Sequence, residues 1–127
     1  MTELKTVQGV TVALLSGELD HHTARLMRCE IDREITEKRP RRLVIDFSGV
    51  TFMDSSGIGL IMGRYKLMNE RGGSVTVARP PVYIKKVLRL AGVDRLAPIS
   101  DTLDDLLSAE DYAKEAERIE QTSGQTN

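Results

Sequence analysis

Blocks of apolar residues separated by turn residues divide most of the chain into predicted strands and helices. Apolar, β-branched runs at residues 10–15, 42–47 and 74–78 predict three strands. Residues 4–7 predict a short antiparallel edge strand that pairs with the first run across a Gln8-Gly9 turn. Residues 95–99 predict a short last strand.

Between these runs, apolar residues recur at helical spacing. The pattern predicts a helix at about 23–38, a second that Gly72 and Gly73 end, a third from Pro81 to Gly92, and a fourth through Leu107. The predicted core-facing positions are Leu26, Cys29, Ile31 and Ile35 in the first helix; Ile58, Ile61, Met62, Tyr65 and Met68 in the second; and Val82, Val87, Leu88 and Leu90 in the third.

The alternation of strands and helices indicates parallel pairing with right-handed crossovers. We therefore predict a small α/β domain over residues 1–107, with a mixed sheet of four to five strands and about four helices. Residues 108–127 are predicted to form a charged helical extension and a disordered tail, because apolar residues are few and the last seven residues are polar.

The composition and charge of the chain limit the kinds of molecule that it is expected to bind. The chain has 127 residues, 29% of them charged, and a net charge of −1 with no concentrated basic run, so neither nucleic acid nor a membrane is an expected partner. No long apolar stretch or signal-peptide pattern is present, and we expect a cytoplasmic protein. The single cysteine, Cys29, has no disulfide partner and is expected to be a core residue.

The sequence Met-Asp-Ser-Ser-Gly at residues 53–57 follows a predicted strand and precedes a predicted helix. It places two hydroxyls and a carboxylate at a helix N-terminus, where backbone N–H groups accept caps and attract anions. A serine here can cap the helix, act as a nucleophile or receive a phosphate. Asp54 or Ser55 is the expected cap on local chemistry alone.

Catalysis and metal binding are both disfavoured by the residues present. A nucleophilic serine needs a general base, but the two histidines, His21 and His22, are adjacent in sequence, and neither a G-x-S-x-G nor a G-x-x-x-x-G-K-[ST] motif occurs. Asp20, Asp46 and Asp54 follow or end predicted strands, where carboxylates usually form caps and turns. We predict a protein that is not an enzyme and has no metal or other cofactor.

Three glycines lie in the second helix or its first turn. Gly57, Gly59 and Gly63 each cost a helix up to about 1 kcal/mol relative to alanine. Because Gly59 and Gly63 are four residues apart, they share one face and form a flat strip. Such a strip gives another protein or a sheet close access to the helix backbone.

Three segments together resemble a known family. Residues 17–24 (GELDHHTA), 52–59 (FMDSSGIG) and 63–66 (GRYK) are similar to anti-anti-sigma factors with a STAS domain, and more narrowly to the sporulation-type, SpoIIAA-like anti-sigma factor antagonists. The resemblance covers most of the chain and implies a STAS fold for residues 1–107.

The resemblance also implies a switch. Family members bind an anti-sigma factor that is also a serine kinase, release its sigma factor, and lose the kinase once they are phosphorylated; a PP2C-type phosphatase reverses the modification. Carried onto this chain, Ser55 is the phosphorylation site. The implied partner-binding residues are Asp20, His21, Asp54, Ser55, Ser56, Gly57 and Gly59. The alternatives are a general stress antagonist of a different sigma factor and a nucleotide-responsive STAS protein.

Overall fold

The computed structural model describes residues 1–103, which contain five strands and three α-helices. In chain order the elements are β1 (Thr2–Val7), β2 (Val10–Leu19), α1 (His21–Lys38), β3 (Arg42–Met53), α2 (Ser55–Glu70), β4 (Ser74–Ala78), α3 (Val82–Leu90), a 3-10 turn (Val93–Arg95) and β5 (Ile99–Ser100). The strands lie side by side in sequence order, with β1 antiparallel to β2 and each later neighbour parallel. The predicted α/β class with a mixed sheet is confirmed.

The main core lies on one face of the sheet. Alternate strand residues point to that face, where they meet the buried sides of all three helices. The strand residues of this core include Ala13, Leu15, Leu43, Ile45, Phe47, Val75 and Val77. Residues of the opposite parity, Val10, Val44 and Ala78, form a smaller cluster on the other face with Val12 and Leu103.

β2 and β3 extend further than the sequence predicted. The apolar run of β3 ends at Phe47, but the strand continues to Met53, and β2 continues to Leu19. Register shifts between these strands absorb the irregular residues Gly17, at φ +88°, and Gly49. An added Cβ at Gly49 would lie 2.9 Å from the Leu15 carbonyl oxygen, so the two backbones approach closely here. Residues 17–23 are therefore mostly the end of β2 and the start of α1.

The buried face of α1 differs from the predicted one. Its buried residues are Ala24, Met27, Ile31 and Ile35. Leu26 is 51% exposed and Cys29 is also exposed, so the prediction that both face the core was wrong. A residue two positions from Ile31, such as Cys29, is rotated by about 200° around the helix and cannot share its face.

The predicted face of α2 is confirmed, but that of α3 is mostly wrong. Ile61 and Met68 are buried, and Ile58, Met62 and Tyr65 pack against the core while partly exposed. In α3 the buried residues are Ile84 and Leu88, whereas Val82 is 78% and Leu90 is 88% exposed. A short, mainly apolar helix offers several possible faces, and tertiary packing selects one of them.

The end of the described region also departs from the prediction. The segment predicted as a strand at 95–99 begins with the 3-10 turn, and β5 contains Ile99 and Ser100 alone. Pro98 precedes β5; its carbonyl oxygen accepts a hydrogen bond from Val77 N at 2.9 Å, but it has no N–H to donate. Most of the predicted fourth helix, the domain end at 107 and the extension at 108–127 lie outside the described residues.

Candidate functional site

Two helix N-termini lie side by side at one edge of the sheet. Leu19 and Met53 are paired in the parallel strands β2 and β3. The next residues, Asp20 and Asp54, are the N-caps of α1 and α2, and Asp54 N donates to the Leu19 carbonyl oxygen at 3.1 Å. The carboxyl ends of two neighbouring parallel strands thus bring the GELD and MDSSG segments together.

Asp20 holds the start of α1 through a reciprocal pair of hydrogen bonds. Its Oδ1 accepts from Thr23 N at 2.9 Å, and Thr23 Oγ1 accepts from Asp20 N at 2.9 Å. The hydrogen bond from the Thr23 backbone holds the pKa of Asp20 below its usual value, since it favours the charged form. The helix therefore begins at His21, not at the predicted Thr23, and His21 and His22 are exposed residues of its first turn rather than turn residues outside it.

Asp54, and not Ser55, caps α2. Asp54 Oδ1 accepts from Ser56 N at 2.7 Å. Ser55 is the first residue of the helix and is exposed, and within residues 1–103 its hydroxyl makes no hydrogen bond. Capping, one of the three roles considered for Ser55, is therefore performed by Asp54. The hydroxyl remains accessible for chemistry by another molecule.

Within residues 1–103, Ser55 is hydrogen-bonded to no general base. Among the described residues, no hydrogen bond joins either serine of α2 to a histidine, although His21 and Ser56 line the same groove. A nucleophilic serine requires such a contact.

The carboxylates considered for a metal site have structural partners instead. Asp20 and Asp54 are helix caps, and the buried Asp46 pairs with Arg79, whose Nε donates to Asp46 Oδ2 at 3.0 Å. Asp46 Oδ1 also accepts from Ser48 N at 2.9 Å. Within residues 1–103, no group of three or more His, Cys, Asp or Glu residues is placed to hold a metal ion.

Gly57 lies beneath the surface that carries Ser55. It is buried, and an added Cβ would overlap the Met53 side chain and lie 3.0 Å from Leu19 Cδ2. The glycine at this position lets the first turn of α2 pack against the ends of β2 and β3.

Gly57→Ala is expected to lower the free energy of unfolding by about 1–3 kcal/mol, because the added methyl group overpacks the contact with Met53. Thermal unfolding followed by circular dichroism measures this change. Gly59→Ala is the matched control in the same helix, since its methyl group meets no described atom within 4 Å. Equal stability changes in the two variants would contradict the packing role of Gly57.

A groove of about 680 Å³ runs between α1 and α2, beginning beside the serine site. It is lined by His21, Ala24, Arg25, Arg28, Ser56, Gly59, Leu60, Gly63 and Arg64. An added Cβ at Gly59 or Gly63 would meet no described atom within 4 Å outside its own helix backbone, so packing requires neither glycine. The flat strip predicted from their spacing lies along this groove.

The arginines of the groove were missed by the sequence reasoning. His21, Arg25 and Arg28 follow the i, i+4, i+7 spacing of one helix face, which is the signal that could have grouped them. Arg64 follows the second glycine of the strip on α2. The packing of α1 against α2 brings Arg64 into the same groove as Arg25 and Arg28.

The family follows from comparison with known proteins. A family model described as STAS domain matches residues 1–106. The chain belongs to the STAS domain family. No helix among residues 1–103 combines the length and hydrophobicity needed to cross a membrane.

Similar proteins within the family include anti-sigma factor antagonists. The anti-sigma F factor antagonist of Paenibacillus polymyxa is 41% identical over 101 residues, which cover 78% of this chain and 85% of that protein. The structure of SpoIIAA in its unphosphorylated form is 27% identical, with a TM-score of 0.71 and coverage of 98% of this chain and 97% of that one. The phosphorylated form of Bacillus SpoIIAA is 26% identical, with a TM-score of 0.66 and coverage of 91% and 99%. The resemblance inferred from the motifs is confirmed.

Proposed function

We propose that this protein is an anti-sigma factor antagonist switched by reversible phosphorylation of Ser55. In the unmodified state it binds an anti-sigma factor that is also a serine kinase, and the sigma factor is released. Transfer of a phosphoryl group to Ser55 dissociates the complex. A PP2C-type phosphatase removes the phosphate and so restores binding. The protein is a kinase substrate and regulatory binding partner in the cytoplasm, and not itself an enzyme.

The observation that carries this proposal is the state of the Ser55 side chain. It is exposed at the first position of α2, while Asp54 supplies the cap that the helix needs. A kinase can therefore reach the hydroxyl without opening the fold. The similarity to SpoIIAA, which is known in unphosphorylated and phosphorylated forms, supports a switch by phosphorylation.

Physical chemistry explains how one modification could end binding without unfolding the protein. A phosphate adds about −1.5 to −2 charge and three acceptor oxygens. At a helix N-terminus that charge is favoured by the helix dipole, so α2 should persist. Inside a docked interface the same dianion would be desolvated beside the Asp54 carboxylate, and this arrangement costs binding energy.

The proposed contact surface surrounds this serine. It includes the neighbouring helix starts, at Asp20 and His21 of one and Asp54 and Ser56 of the other, and continues to Gly59 along α2. Gly57 supports the surface from below because it is buried.

The direct test is incubation with the purified anti-sigma factor kinase of the source organism and ATP, followed by intact mass and peptide mapping. Wild type is expected to gain one phosphate on Ser55, and Ser55→Ala is expected to gain none. Ser56→Ala is the matched control for the site of modification, and it should still gain one phosphate on Ser55. Phosphate on Ser56, or on both serines equally, would overturn the assignment of Ser55.

A further inference from the structure

The groove between α1 and α2 carries a concentration of positive charge that the chain as a whole does not show. Three of its lining residues are arginines, Arg25 and Arg28 from α1 and Arg64 from α2, whereas the whole chain has a net charge of −1. No acidic side chain of the described region lines the groove. Within residues 1–103, Arg25 and Arg28 are exposed and form no ion pair.

Arg64 is buried in the groove wall with an incomplete set of partners. The residue is 7% exposed. Its Nε lies 2.7 Å from Asp32 Oδ1, but this contact is not aligned as a hydrogen bond, and Nη1 has no hydrogen-bond partner among the described residues. A buried guanidinium with an unmade hydrogen bond is costly. The charge of this guanidinium therefore lies in the groove wall without a complete set of hydrogen-bond partners.

The pKa shifts of Arg64 and Asp32 reflect the burial of both side chains. Burial lowers the pKa of Arg64 and raises the pKa of Asp32, and in each case attraction to the partner offsets only part of the effect. The attraction of Asp32 thus offsets only part of the cost of burying the guanidinium of Arg64. A carboxylate in the groove would lie near the charge of Arg64 and would face two exposed arginines, Arg25 and Arg28.

We propose that this groove receives an acidic segment of the anti-sigma factor, with its carboxylates paired to the exposed Arg25 and Arg28, near the buried charge of Arg64. The inference rests on the function proposed above and names the chemistry of the partner's docking segment. Two observations favour a protein segment over a small anion. The groove has a volume of about 680 Å³, and Gly59 and Gly63 leave its α2 side open to a close-packed backbone.

This occupant also gives the switch a second physical basis. The groove begins at Ser56, directly beside the proposed phosphorylation site. A dianion on Ser55 would stand at the entrance and repel the carboxylates of the docked segment. Loss of the partner after phosphorylation therefore follows from like-charge repulsion as well as from desolvation at Asp54.

The test measures the affinity of the purified anti-sigma factor kinase for wild type and for the double variant Arg25→Ala/Arg28→Ala, at low and at physiological salt. The double variant is expected to bind at least about tenfold more weakly, with a smaller dependence on salt. Arg33→Ala is the matched control, because Arg33 lies on the same helix, its side chain is 81% exposed and it pairs with Glu37 outside the groove. It should bind as wild type.

The failures of the two proposals are distinguishable. If wild type binds the kinase and is phosphorylated on Ser55, but the double variant binds equally well, the groove inference alone is overturned. If wild type neither binds nor is phosphorylated, both proposals fail. Saturable binding of ATP or inorganic phosphate to the isolated chain, lost in the double variant while kinase affinity is unchanged, would overturn the acidic segment in favour of a small-anion site.

Discussion

Ser55→Asp is expected to weaken binding to the anti-sigma factor by more than about a hundredfold, which corresponds to about 3 kcal/mol. The substitution places a permanent negative charge beside Asp54 and at the entrance of the arginine-lined groove. The same charge lies at the N-terminus of α2, where the helix dipole favours it. The melting temperature should therefore stay within a few degrees of wild type. Isothermal titration calorimetry and thermal unfolding measure the two effects separately.

Ser55→Asn is the matched control for this variant. Asparagine has nearly the size of aspartate but no charge, so it separates electrostatic repulsion from steric interference at an exposed position. We expect Ser55→Asn to retain most of the affinity. Equal losses in the two variants would replace the electrostatic account with a steric one. Unfolding of Ser55→Asp would contradict the proposal that phosphorylation acts on docking alone.

The order of elements could be predicted because each strand carries a strong local signal. The runs at 42–47 and 74–78 are apolar and bounded by turn residues, and the structure places a strand at each. The extension of β3 to Met53 could not be predicted locally, because its second half depends on pairing with β2 through register shifts near Gly17. Such shifts are a property of two strands together.

Side-chain burial was less predictable than element type. Leu26 and Val82 are apolar residues in regular helices, yet both are exposed. Folded surfaces contain many apolar atoms, and hydrophobicity alone does not decide which face of a short helix packs. The opposite case is Arg64, a charged residue that is buried because its position between Ile61 and Met68 on α2 turns it inward.

The serine site could be predicted in part, because its signal lies within one short segment of the sequence. The groove could not be predicted, because it forms only when two helices pack together. A carboxylate, two serines and a glycine between a strand and a helix predict a helix N-terminus from sequence alone. The choice of Asp54 over Ser55 as the cap needed the structure. The groove requires α1 and α2 to pack together, and no periodicity in either helix predicts that Arg28 and Gly63 line one cavity.

The double variant Gly59→Ala/Gly63→Ala is expected to raise stability and weaken binding at the same time. Each alanine favours the helix over glycine by about 0.5–1 kcal/mol, and neither methyl group meets a described atom within 4 Å, so unfolding should become harder by about 1–2 kcal/mol. The same two methyl groups project along the groove that the partner is proposed to occupy. Overpacking of this contact is expected to cost about 1–3 kcal/mol of binding, or roughly tenfold to hundredfold in affinity.

Chemical denaturation and titration with the anti-sigma factor kinase measure the two quantities on the same preparations. Asn69→Ala is a suitable control, because it changes an exposed residue in the last turn of α2, far along the helix from Gly59. It should leave affinity unchanged. Opposite signs of the stability and binding changes in the glycine variant would show that these glycines keep the groove open at the expense of the helix. A stabilised variant with unchanged affinity would mean that the partner does not approach this strip, and the docking segment would have to be sought nearer to Ser55.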